Sequence, residues 1–137
     1  MIKQGNMTIL VVDSDSSIQE TCKSLLTKEG YTVFQADTIE KGLAILKKES
    51  IDCVLTEIMF GDIVKNGYHI LEQIKLIPKR KRPIGLVMTS RKGALAEYSA
   101  LAAGAHDFIH KPFNNLELLA KVTKCKNSFH KEKTLLL

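Results

Sequence analysis

Thr8-Ile-Leu-Val-Val-Asp13 decides how the rest of the chain reads. Residues 9–12 are consecutive aliphatics, the pattern of a strand buried on both faces rather than one alternating between core and water. The run closes on an acid. Residues 16–29 then place Ile18, Cys22, Leu25 and Leu26 at helical spacing, and Gly30 supplies a stop.

The same strand-then-helix unit recurs. Residues 31–35 are strand-like, and 39–48 carry Leu43 and Leu46 on one helical face with lysines opposite. Asp52-Cys-Val-Leu-Thr-Glu57 is a third strand closing on an acid, followed by a loop over 60–67 whose Asn66-Gly67 pair marks a turn. Ile70, Leu71, Ile74 and Ile77 define a helix over 68–77; residues 84–88 form a fourth strand ending at Thr89-Ser90. A small-residue helix over 94–103 stops at Gly104, and a fifth strand over 106–110 runs into Lys111-Pro112. Residues 115–126 put Leu116, Leu119 and Val122 on one face.

Five such units predict an α/β fold: a doubly wound, five-stranded parallel sheet with helices on both faces and right-handed crossovers. One domain over 8–126 is expected, with an N-terminal extension at 1–7 and a basic tail or start of a linker at 127–137. The tail is expected to fray, although its three terminal leucines could continue the last helix or lead to an output domain. In sheets of this kind the site lies at the carboxyl ends of the strands. Those ends carry Asp13, Glu57, Thr89 and Lys111.

Composition narrows the function classes. With 45% hydrophobic and 26% charged residues in 137, the chain has an ordinary globular balance. Its longest apolar run is far too short to span a bilayer and no secretory signal is read, so a cytoplasmic protein without membrane attachment is expected. The net charge of +5 falls short of a nucleic-acid signature. Cys22, Cys53 and Cys125 are far apart and lack zinc-ligand spacing; Cys53 reads as an inert core residue.

The ordered set Ile9-Leu-Val-Val-Asp13, Gly30-Tyr31, Asp52-Cys-Val-Leu, Gly67, Thr89-Ser90, Ala103-Gly-Ala-His-Asp-Phe108 and Lys111-Pro112-Phe113 resembles the receiver domain of two-component response regulators over residues 8–126. The separations from Asp13 to Glu57, Thr89 and Lys111 in turn are 44, 32 and 22 residues, agreeing with the family apart from about two extra residues after Glu57. The resemblance implies a flavodoxin-like (βα)5 fold and a place in phosphorelay signalling, with a histidine kinase or another signalling protein as partner. In that family an aspartate at the end of the third strand accepts a phosphoryl group. Two adjacent acids after the first strand help hold magnesium. A hydroxyl residue and a lysine bind the phosphoryl oxygens, and an aromatic on the fifth strand changes rotamer. Thr89, Lys111 and Phe108 match the last three roles, and Lys111-Pro112 is expected to be cis.

Two departures stand out. The acceptor position holds Glu57, and the acid pair reads Asp13-Ser14. Glutamate carries its carboxylate roughly 1.5 Å further out, and misplacement of about 1 Å can slow an in-line transfer about a hundredfold. Losing one carboxylate also weakens a magnesium site. An atypical receiver is therefore expected, not an enzyme, acting by protein contacts without ordinary aspartyl phosphorylation. No metal or cofactor is expected beyond weak magnesium at Asp13 and Glu57. Three roles for Glu57 stay open. It could pair with Lys111, with the Thr89 hydroxyl as donor, and mimic phosphorylation; it could be a relic; or residual Mg-dependent phosphorylation could fall on Glu57 or on Asp62 in the expanded loop.

Other features read more simply. Asp15 could be a third pocket acid but is expected rather to cap the first helix, with Ser17-Ile-Gln-Glu20 as an alternative start. Lys79-Arg-Lys-Arg82 between two prolines is read as a solvated loop, making nucleic-acid binding by this domain an outside expectation. His106 and His110, four apart on a strand, should share a face. The fourth helix, fifth strand and fifth helix form the family's usual contact and homodimer face, here with Arg91, Lys92, Tyr98, Phe108, His110 and Lys121.

Overall fold

The computed structural model describes residues 6–58, 66–91 and 93–136. Strands β1 (Thr8–Val12), β2 (Thr32–Ala36), β3 (Cys53–Glu57), β4 (Ile84–Thr89) and β5 (Asp107–His110) alternate with helices α1 (Ser16–Lys28), α2 (Ile39–Lys48), α3 (Gly67–Leu76), α4 (Ala94–Ala102) and α5 (Asn115–Leu135). All neighbouring pairs are parallel, in the order β2-β1-β3-β4-β5. The expected doubly wound sheet is what the chain forms.

Alternation within the apolar runs builds two cores. Ile9 and Val11 of β1, with Leu55 of β3 and Leu86 of β4, pack toward α1 and α5. Leu10 and Val12, with Val54 and Val87, pack toward α2, α3 and α4. The central strands have no exposed face, which is why their sequences do not alternate in polarity. At the edge, β2 is exposed at Thr32 and half-buried at Val33 and Phe34.

Caps fix the helix starts. The Asp15 side chain accepts from Ser17 N–H, so Asp15 is the cap of α1. Asn66-Gly67, read as a turn, instead opens α3: Asn66 Oδ1 accepts from Tyr68 N–H and His69 Nδ1 accepts from Asn66 N–H. The loop expected over 60–67 lies mostly outside the described residues, as does Lys92.

Helix α5 differs from expectation in two ways. Leu116 is 78% exposed, and the buried stripe is Leu118, Val122, Cys125 and Phe129. The helix also runs through residues 127–135, where fraying was expected. Phe129 and Lys133 prolong the stripe by two turns. Lys133 Nζ donates to the carbonyls of Lys79 (2.5 Å) and Arg82 (2.8 Å) and lies 5.1 Å from the Phe129 ring centroid. A lysine whose stem covers apolar surface while its ammonium meets two carbonyls is a packing residue. In sequence it looks like solvent-facing charge.

Candidate functional site

Strands β1 and β3 are adjacent, so Asp13, one residue past β1, and Glu57, the last of β3, converge at the carboxyl edge of the sheet. Lys111 reaches them from beyond β5. Asp13 is completely buried. Its Oδ1 accepts from Asp15 N–H (2.9 Å) and its Oδ2 from Lys111 Nζ (2.5 Å), while its carbonyl accepts from Gln19 Nε2 (2.9 Å). Burial pushes its carboxyl pKa up, and the bonds from Lys111 and Asp15 only partly offset that; the net position is above the ordinary value.

Glu57 turns its longer side chain toward β1. Oε2 accepts from both Ser14 N–H (3.0 Å) and Ser14 Oγ–H (2.9 Å), and Oε1 lies 3.4 Å from Lys111 Nζ. The Lys111 ammonium is thus held between two carboxylates. Gly67 sets how closely α3 approaches: a Cβ there would lie 2.0 Å from the Glu57 carbonyl oxygen, and Gly67 N–H donates to Ile58 O (2.8 Å).

Thr89, at the end of β4, stands on the other side. Its hydroxyl accepts from Arg91 N–H (3.0 Å), and its carbonyl accepts from Lys111 N–H (2.7 Å). The sequence reading allowed a Thr89–Glu57 bond; the partner Glu57 takes is Ser14 instead. A cavity of about 30 Å³ separates Glu57 and Lys111 from Thr89 and Arg91. The Lys111-Pro112 peptide is cis.

Phe108 is half-buried, with the Lys121 ammonium 5.2 Å from its ring centroid and the His110 ring 5.4 Å away, edge-on. His110 joins β5 to α4, its Nδ1 3.1 Å from Arg91 O and its Nε2 3.4 Å from Glu97 Oε1. His106 precedes β5, is exposed, and lines a different cavity beside Lys133, so the two histidines do not act as a pair. Asp107 binds Lys121 (3.1 Å) and Lys124 (3.2 Å) of α5. Burial pushes its pKa up, but the Phe108 N–H and the two lysines outweigh that and hold it below the usual value.

Residues 9–123 match the response regulator receiver domain family. The chain belongs to that family. Among curated proteins, this receiver is 32% identical over 118 residues to the transcriptional regulatory protein YvrH of Bacillus subtilis, and 34% identical over 114 residues to the transcriptional regulatory protein CpxR of Klebsiella pneumoniae. Those alignments cover 85% and 83% of the chain but 48% and 47% of the relatives, so the chain spans about half their length. A CheY-like receiver domain protein from Methanospirillum hungatei JF-1 superposes with a TM-score of 0.82 at 32% identity, covering 93% of this chain and 99% of that one. Among the described residues no helix is long and apolar enough to cross a membrane.

The family implies a magnesium ion at the acid pair, and Asp13 and Glu57 are the two carboxylates that this receiver brings together there around Lys111. Each carboxylate oxygen of Asp13 and Glu57 already has a protein donor, and the lysine ammonium stands between them. Ser14 turns two donors, its N–H and its Oγ–H, toward Glu57.

Proposed function

We propose that this receiver is an atypical member of its family, signalling through protein contacts without aspartyl phosphorylation and without enzymatic activity of its own. The observation that carries this is the double bond from Ser14 to Glu57 Oε2, with Lys111 on Oε1. A phosphoryl acceptor needs a free carboxylate oxygen in line with the donor and a metal to neutralise the charge that develops. Glu57 has Oε2 doubly hydrogen-bonded to Ser14 and Oε1 at 3.4 Å from Lys111, so the carboxylate is engaged before any donor arrives.

The direction in which Glu57 points also bears on which kind of atypical receiver this is. A self-activated switch would draw the Thr89 hydroxyl onto the Glu57 carboxylate. That hydroxyl accepts from Arg91 N–H and makes no bond to Glu57, whose Oε2 instead faces β1. The geometry therefore favours a protein-binding scaffold over a built-in mimic of phosphorylation. A histidine kinase or another signalling protein in the cytoplasm is the expected partner. The α4–β5–α5 face, where Leu95 and Tyr98 are exposed, is a second contact surface and the place for a homodimer.

Incubation with radiolabelled acetyl phosphate and magnesium, and with histidine kinases of the same cell, tests the proposal. No stable label is expected. Stoichiometric label at Glu57, located by mass spectrometry, overturns it; label at Asp62, which lies outside the described residues, overturns it equally.

A further inference from the structure

The edge of the sheet opposite Asp13 and Lys111 carries a groove of about 740 Å³, open to solvent, between the C-terminal turns of α2 and α3 and the segments leading into β3 and β4. Its apolar wall is Leu43, Leu46, Ile51 and Ile77, and Leu76 stands at the lip, 75% exposed. Its rim carries Lys47, Lys48 and Lys81, with Glu49 as the only acid among the lining residues.

Ordinary structural duties account for only part of this charge. Lys47 and Lys48 complement the C-terminal dipole of α2. Arg82 is consumed internally, its Nε donating to Ile77 O and its Nη2 to Lys75 O, which closes the end of α3. Lys81 has neither duty, and Lys79, Arg80 and Lys81 are exposed on one 3₁₀ turn. Lys47, Lys48 and Lys81 form no ion pair among the described residues. An exposed leucine over an apolar trough, ringed by unpaired cations, is complementary to one kind of surface.

We infer that this groove is a docking site for an acidic amphipathic helix of a partner protein, its leucine-type residues seated in the trough and its glutamates or aspartates on the lysine rim. An open trough suits a ridge of side chains better than a small molecule, which needs most of its surface enclosed. The groove lies at the far end of the strands from Glu57, so its occupancy does not depend on the state of that pocket and does not rest on the reading of Glu57 given above.

The test uses the whole 137-residue chain, labelled with nitrogen-15. It is titrated with a synthetic helical peptide of about 16 residues carrying leucines at i, i+4, i+7 and i+11 and glutamates elsewhere. Amide shifts confined to 43–51 and 76–83 are expected, with a dissociation constant of about 10–100 µM that weakens roughly tenfold on moving from low to high salt. The triple variant Lys47→Gln/Lys48→Gln/Lys81→Gln is expected to lose affinity about tenfold with an unchanged denaturation midpoint. Leu76→Ser, altering an exposed side chain, is expected to lose about fivefold. The inference is overturned by no shift, by equal binding of a peptide with serine in place of leucine, by tighter binding of a DNA duplex to the same residues, or by self-association of the free chain through them.

Discussion

If, as proposed above, Ser14 and Glu57 form one device, their energies must be coupled. Consider Ser14→Asp, Glu57→Asp and the double variant. In Ser14→Asp a second carboxylate lands where the hydroxyl now sits 2.9 Å from Glu57 Oε2. Two unit charges about 4 Å apart repel by about 4 kcal/mol at an effective dielectric of 20, and partial solvation halves that to about 2 kcal/mol. Losing the hydroxyl bond adds about 1 kcal/mol. Glu57→Asp withdraws the carboxylate about 1.5 Å from both Ser14 donors, which costs about 1–2 kcal/mol. In the double variant the shorter side chain has moved away from the new acid, to about 6 Å, so about a third of the repulsion is relieved, and the bonds to Ser14 are counted only once. The double variant should therefore be less destabilised than the sum of the singles by about 1–2 kcal/mol, read from urea midpoints in a double-mutant cycle. Magnesium provides the second reading. The double variant regains the acid pair and the shorter acceptor, and at a concentration ten times its dissociation constant the ion should add about 1.4 kcal/mol of stability. The wild-type midpoint should not move. Additivity within about 0.5 kcal/mol, together with equal magnesium responses of wild type and double variant, would refute the coupling.

Three further outcomes follow from single residues. Gly67→Ala forces a Cβ to within 2.0 Å of the Glu57 carbonyl, so a loss of about 2–3 kcal/mol in thermal or chemical denaturation is expected, with chemical-shift changes at residues 57 and 58. Asp107 has a depressed pKa in the folded state, so in the acid range the unfolded chain binds the extra proton: its stabilising contribution is present above pH 3.8 and lost as pH falls through the folded value. Asp107→Asn should lower the denaturation midpoint at pH 6, and its difference from wild type should shrink as pH falls below 3.8. Cys22, Cys53 and Cys125 are all buried, and burial, with a smaller push from Asp13, raises the Cys22 thiol to about 12. The native chain should leave all three unalkylated at neutral pH over the time in which the urea-unfolded chain reacts completely, as read by intact mass.

The strand ends were legible because each announces itself locally: an apolar run that stops abruptly at Asp13, Glu57 or Thr89 needs no partner to be recognised. Parallel order then follows from connection length, and the edge at which the polar ends meet follows from parallel order. What stayed hidden depends on tertiary geometry. Ser14 and Glu57 are 43 residues apart, and which oxygen meets which donor is set by the rotamer of a side chain one methylene longer than the family's. Periodicity admits Leu116 as readily as Leu118; only the angle at which α5 crosses the sheet chooses between them. Lys133 was invisible for a different reason. Its stem and its charge are buried by separate neighbours, and a hydropathy pattern scores the residue as one polar unit. Asn66-Gly67 has the composition of a turn, and it becomes a helix start because His69 closes the cap from three residues ahead.

Charge counting connects the two departures to one outcome. With the family's acids in place, two carboxylates after β1, one at the end of β3 and one lysine would leave a formal charge of −2, which a dication neutralises. Asp13, Glu57 and Lys111 leave −1, and the N–H and O–H of Ser14 both point at the carboxylate that carries it. On the proposal made above, the demand for a divalent ion is halved, and the two Ser14 dipoles meet part of what remains. Substituting only the acceptor would have left −2 with no hydroxyl to satisfy the longer side chain. Substituting only the second acid would have left a short aspartate drawn back from the Ser14 donors, its oxygens exposed to water or to a phosphoryl donor. On the proposal made above, either change alone leaves more unmet charge or more unused donors in the pocket than the two together.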